Sequence, residues 1–282
     1  MEANQNSVLN ILAAGLDCGD IVFSTHAEIA LRVQRLLDDP DCATEQLGKL
    51  IAADPLLSAR VLALSNSLAY NPSGRAVTEL RGAIARLGFA NLRAVVASVV
   101  VRQMKAGSQT PEARVMAARL WEHTAHVAAL ARVIARRVTH QNPEAAFFAG
   151  IVHEVGSFYL LSRAGEFSGV LSRELEAWHG EGEAIVGRAV LRALDVPDSV
   201  LEAMETLWSG YLALPPVSLG DTLLLADELS PVESPFDALD GMSRKGMAVE
   251  LDMAIDDEML SQILAESAEE VRSLTAALGE AA

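Results

Sequence analysis

Apolar residues recur at intervals of three and four along nearly the whole chain, the spacing of one face of an α-helix. Ile29, Val33, Leu36 and Leu37 form the first stripe, and the turn-forming DDPDC at 38–42 ends it. Leu47, Leu50 and Ile51 open the next. Asp54-Pro55 then marks a sharp helix start, with an acceptor side chain at the N-cap and a proline where its missing N–H costs nothing. The helix that follows, PLLSARVLALSNS, turns Leu57, Val61 and Leu64 to one side. Thr78 is the expected cap of another, with Leu80, Ile84 and Leu87 inward and Gly88 as its stop. VVASVVV at 95–101 has strand propensity. Its neighbourhood nevertheless repeats as Phe89, Leu92, Val95, Val96, Val99 and Val100, a period near 3.6 rather than 2, which predicts helix.

Residues 104–110, MKAGSQT, read as a polar hinge. Thr110-Pro111 caps a long helix to about Val138, with an inward stripe of Leu120, Thr124, Val127, Ala131, Ile134 and Val138. At 100° per residue, His123 lies ~60° from Leu120 and His126 ~120°, so His123 points inward and His126 does not. Asn142-Pro143 starts the helix that reaches His153, and Gly156 marks its end or a tight packing point. Further helices fit 182–194, 198–208 and 217–229, and a loop covers 231–246. A last helix begins at Asp256 or Asp257 with Leu260, Ile263, Leu264, Val271, Leu274 and Leu278 on one face. That stripe is expected to pack on the chain's own body, with a homodimer seam as the alternative. No repeat and no strand alternation occurs. The expected fold is all-α, in two packed lobes: 1–109, and a helical bundle with an acidic end at 110–282.

The chain's 51% hydrophobic content supports a substantial core. Its longest unbroken apolar-type run, 94–101, falls far short of the ~20 residues of a bilayer span. MEANQNSV carries an acid where a signal peptide would be basic, and Cys18 and Cys42 lack metal or redox spacing, so a cytoplasmic protein is expected. Net charge is −16, and all of it falls at one end: residues 195–282 hold 19 acidic and 3 basic residues, against 19 and 19 before them. That end repels phosphate backbones and argues against nucleic-acid binding. It reads as a solvated face, with docking to a basic partner as the alternative.

Two groups of residues carry a resemblance. One is Asp54, Pro55, Leu57, Ser58, Asn66, Ser67, Ala83, Ile84, Leu87 and Gly88, in LIAADPLLSARVLALSNSLAY and AVTELRGAIARLGFANLRAVV. The other is LWEHTAHVAALARVIA with AAFFAGIVHEVGSFYLL, which contains Gly150, His153, Glu154 and Gly156. Together these resemble HDOD domains, the bacterial HD-related output domains, over about residues 20–230. The resemblance implies a helical fold, a role in bacterial signalling, and kinship with HD-type metal phosphohydrolases, including cyclic dinucleotide phosphodiesterases.

In those enzymes a distant histidine, a His-Asp pair and a later aspartate hold a divalent ion. Mapped onto this chain they are His123, His153, Glu154 in place of aspartate, and Asp227 in LLLADELS. The added methylene of glutamate moves a carboxylate by ~1.5 Å, against metal–ligand tolerances of ~0.2 Å. Where relatives show further histidines, this chain has Gly187-Arg188 and Leu207-Trp208. GYP and a lysine cluster are missing, with Lys105 beside the hinge. Taken from the residues alone, His153-Glu154 is a hydrogen-bonded core pair satisfied by His123 or backbone. Asp227 is an exposed or capping residue. Asn66-Ser67 satisfies groups at a helix end, Trp121 and Trp208 are core anchors, and Arg114, Arg119, Arg132, Arg136 and Arg137 form a solvated helix face.

The resulting expectation is a non-enzymatic signal-output module with a degenerate HD site and no catalytic residue. It needs no cofactor or metal and acts on a protein partner away from membranes. No segment resembles a receiver domain, so the chain is either stand-alone or part of a longer one. The rival is a metal-dependent phosphohydrolase acting on a nucleotide or cyclic dinucleotide.

Overall fold

The computed structural model describes residues 25–108, 110–166, 182–237 and 257–278, with Gly15 and Trp178 besides. Among these residues every regular element is helical. The order is α1 (Thr25–Asp38), α2 (Thr44–Ala52), α3 (Pro55–Ser65), α4 (Leu80–Ala106), α5 (Pro111–Ile134), a π-turn (Ala135–Thr139), α6 (Pro143–Val152), α7 (Val155–Arg163), α8 (Glu183–Ala193), α9 (Asp198–Ser209), α10 (Leu219–Glu228) and α11 (Asp257–Leu278).

Local chemistry sets most of these boundaries. Asp54 accepts the amides of Leu56 and Leu57 at 2.8 and 3.1 Å, Thr110 accepts that of Ala113, and Asn142 those of Glu144 and Ala145. Each cap is followed by a proline at the first helical position. Thr78 does not cap α4. Glu79 occupies the N-cap and gives no side-chain bond. Gly88, at φ 72 and ψ 170, breaks α4 into two helical halves, a conformation that costs an L-residue steric strain. The break also resets the register, leaving Phe89 partly exposed while Leu92, Val95, Val96, Val99 and Val100 are buried.

α4 is the organising element, packing on α1 and α3 and also on α6 and α7. Asn66 pins the segment before α4: its side chain donates to the Val77 carbonyl at 2.8 Å and accepts the Val77 amide at 2.7 Å. Ser67 donates to the Leu64 carbonyl. Ser67 thus acts on the end of α3, whereas Asn66 reaches across to loop backbone. Two helical stretches, Leu80–Ala106 and Pro143–Arg163, are long and apolar enough to cross a membrane, yet their most apolar windows are 67% and 89% buried inside the protein. They are core helices.

α6 is seated closely on α5. A Cβ at Gly150 would lie 2.4 Å from the Ala128 Cα, so only glycine lets α6 approach α5 this closely. The helix then stops at Val152, and His153-Glu154 forms the junction to α7. Gly156 lies inside α7, where an added Cβ would meet the Gly187 amide at 2.9 Å. It is a packing point and not a helix end.

Between α9 and α10, residues 210–218 form a loop wrapped around the buried Asp221. The Asp221 carboxylate accepts the amides of Ala213, Val217 and Ser218 and the Ser218 hydroxyl at 2.7–3.1 Å. Leu212 turns inward, while Tyr211, Leu214 and Val217 are exposed.

Candidate functional site

The close α5–α6 contact brings His123 to His153. Their Nε2 atoms face each other at 3.2 Å, and the rings are 5.2 Å apart. Each ring is fixed from behind by its other nitrogen. His123 Nδ1 donates to the Val232 carbonyl at 2.7 Å, and His153 Nδ1 to the Gly150 carbonyl at 2.8 Å. This backbone anchoring directs both Nε2 atoms into the same space.

Asp227, near the end of α10, completes the cluster. Its Oδ1 lies 3.1 Å from His123 Nε2 and 3.9 Å from His153 Nε2. Its side chain is only 12% exposed, so it is not a solvated residue. Glu154 is buried and accepts the Ser234 hydroxyl at 3.1 Å. One ligand atom each from His123, His153 and Glu154 lies within 4.8 Å of the others. All four residues drawn from the HD pattern therefore meet in one place. His126, by contrast, is half-buried and bonds the Glu122 carbonyl of its own helix.

The surroundings push the two imidazoles in opposite directions. Burial opposes a charge on His123, but the hydrogen bond and charge of Asp227, helped by Glu154 and the Val232 carbonyl, raise its pKa to about 9. Burial and the His123 cation both lower the pKa of His153. These shifts favour a His123 imidazolium, donating from Nε2 to Asp227, beside a neutral His153.

The donor set also suits a divalent transition ion. Two imidazole nitrogens bound at ~2.1 Å to one ion at about 100° are about 3.2 Å apart, the spacing found here. His123, His153, Asp227 and Glu154 would hold it, and it would polarise a phosphoryl oxygen and acidify a water. The places where a second ion would need histidines are filled otherwise. Gly187 packs beneath the Trp208 ring, and Arg188 lies 5.3 Å over that ring while pairing with Glu205.

Sequence reasoning missed the roof over this cluster. Residues 232–236 leave α10 and supply the Val232 carbonyl, Ser234 and a buried Phe236 that packs 6.0 Å from Trp178. No sequence signal marks a backbone carbonyl as a ring anchor.

It also misjudged the arginines of α5. Arg114 and Arg119 are exposed, but Arg132 is buried and bonds Glu144 at 3.2 Å and Glu270 at 2.6 Å. Its guanidinium stacks 4.8 Å over Tyr70, whose hydroxyl sits 2.7 Å from both Asn91 and Glu144. Arg136 and Arg137 pair with Glu270 and Glu266. The end of the face at Arg132, Arg136 and Arg137 is a seat for α11, and Arg114 and Arg119 are exposed as expected.

The HDOD domain family model matches residues 24–208, and the chain belongs to that family. Among solved structures, a protein from Shewanella amazonensis, provisionally named a metal-dependent phosphohydrolase, is similar at TM-score 0.68. It is 23% identical, with 96% of this chain and 98% of that one covered. An HDOD domain protein of unknown function from Geobacter sulfurreducens superposes at 0.60 with 25% identity, covering 97% and 98%. A protein from Marinobacter aquaeolei, provisionally named for signal transduction, reaches 0.56 at 17% identity over 99% of this chain and 62% of its own. No curated protein matches the sequence.

Proposed function

We propose that this chain is a non-enzymatic signal-output module of HDOD type, working in the cytoplasm by contact with a protein partner. One observation carries the reading: the HD-derived cluster is buried beneath the 232–236 segment. His123 and His153 are 2% and 4% exposed and the Asp227 side chain 12%, beneath the segment that supplies the Val232 carbonyl and Ser234. A phosphoester needs an open face on the ion that activates it. The acidic C-terminal third argues against a nucleic acid as the partner.

The facing Nε2 atoms and Asp227 favour a second reading, a metal-dependent phosphohydrolase for a nucleotide or cyclic dinucleotide. Elemental analysis of the purified chain, paired with hydrolysis of bis-p-nitrophenyl phosphate and a cyclic dinucleotide in added Mn2+ or Fe2+, separates the two. The proposal expects turnover no higher than that of His153→Ala. A stoichiometric ion with turnover that His153→Ala abolishes would overturn it.

A further inference from the structure

The charge asymmetry of the chain has a structural counterpart in α11. Glu266, Glu270, Leu274 and Leu278 recur every four residues and so share one helix face. Every one of them meets the body of the protein. Glu270 bridges Arg132 and Arg136 at 2.6 Å each, and Glu266 meets Arg137 at 2.9 Å. Leu274 and Leu278 are buried. At the far end, Arg60 donates to the Ala277 carbonyl at 3.0 Å and Arg102 to that of Leu278 at 3.1 Å, where a helix leaves its carbonyls without partners.

The seat is thus built from five arginines of α3, α4, α5 and the π-turn. Leu68, whose amide donates to Ser273 at 2.8 Å, lies at its edge. Among the described side chains of α11, Leu274 and Leu278 alone are fully buried, and the turn at 261–266 is largely exposed. Ion pairs along one side, two buried leucines, and Leu264, Val271 and Ala277 half-buried against the core hold this helix. Removing it would take from Arg132 the shorter of its two carboxylate contacts and leave only Glu144, which favours recapture of an anion. The helix also lies beyond residue 208, where the family match ends.

We propose that α11 is an exchangeable latch and that its arginine-lined seat is the recognition face of the module, taking an acidic amphipathic helix from a partner. That helix would repeat the pattern Glu-x-x-x-Glu-x-x-x-Leu-x-x-x-Leu, with its carbonyl end towards Arg60 and Arg102. The chain's own helix competes because it belongs to the same molecule, which gives it a high effective concentration. The inference deepens the output-module reading and rests on it. Latch opening is read by exchange and binding, whereas a catalytic site shows itself as turnover, so the two fail separately.

The test uses the full chain, with and without the double substitution Glu266→Lys and Glu270→Lys, and a fluorescein-labelled peptide of residues 257–282. Amide hydrogen exchange across 257–278 should rise at least tenfold in the variant while α5–α7 keep their protection. The peptide should bind the variant at least tenfold more tightly than the wild type, whose seat is filled. Binding should weaken from 50 to 500 mM salt and when both peptide glutamates are glutamine. Loss of protection throughout the chain would make α11 an integral core element and overturn the proposal. Equal binding by both chains, or indifference to the glutamine peptide, would overturn it as well. A wild-type dimer that exchanges α11 between copies would assign the seat to a second copy and overturn the partner assignment.

Discussion

Replacing Asp227 by asparagine removes the charge that keeps His123 protonated while leaving the shape of the site almost unchanged. In the wild type the folded-state pKa of His123 is about 9, against 6.5 for an ordinary histidine. A raised pKa contributes stability that is fully present below pH 6.5 and is lost as pH rises through 9. At 1.36 kcal/mol per pH unit, the window from 6.5 to 9 corresponds to about 3 kcal/mol. His153 acts in the opposite sense. Its pKa is lowered, so its contribution is present above 6.5 and is lost as pH falls below that value. The joint contribution of the pair is greatest near pH 6.5. Urea unfolding in chelator, at half-unit steps from pH 5.5 to 9.5, measures both limbs. Between 6.5 and 9.5 the wild type should lose about 3 kcal/mol more than Asp227→Asn, whose alkaline limb should be nearly flat. Parallel limbs for the two proteins would refute the charged His123–Asp227 pair.

Gly150→Ala should destabilise the chain by roughly 3 kcal/mol or more, since the new methyl meets the backbone of α5 and not a movable side chain; the urea midpoint measures this, and Ala128→Gly should not restore it. Asp54→Ala should cost about 1 kcal/mol, the usual value of a lost N-cap, with the denaturant slope unchanged.

How far these features could be read in advance depended on the range of the forces involved. The caps at Asp54, Thr110 and Asn142 form as their residue types suggest, because a cap is settled within four residues. Helical periodicity placed His123 inward for the same reason. Thr78 failed as a cap because neighbouring Glu79 took the position. Glycines 150 and 156 stand out in the sequence, but the reason for each lies on another helix, at Ala128 and at Gly187. Asp227 reaches His123 only through the packing of α10 on α5, and Arg132 finds Glu270 138 residues away. A single sequence carries no local mark of such pairings, so an arginine destined for a buried ion pair looks like one bathed in water.

The loop around Asp221 separates the stability of a surface from its identity. Its conformation is held by one inward carboxylate, so Tyr211, Leu214 and Val217 stand on a finished pedestal whose ordering entropy was spent during folding. Evolution or an engineer can therefore rewrite those three outer letters cheaply, whereas the buried aspartate tolerates almost no editing.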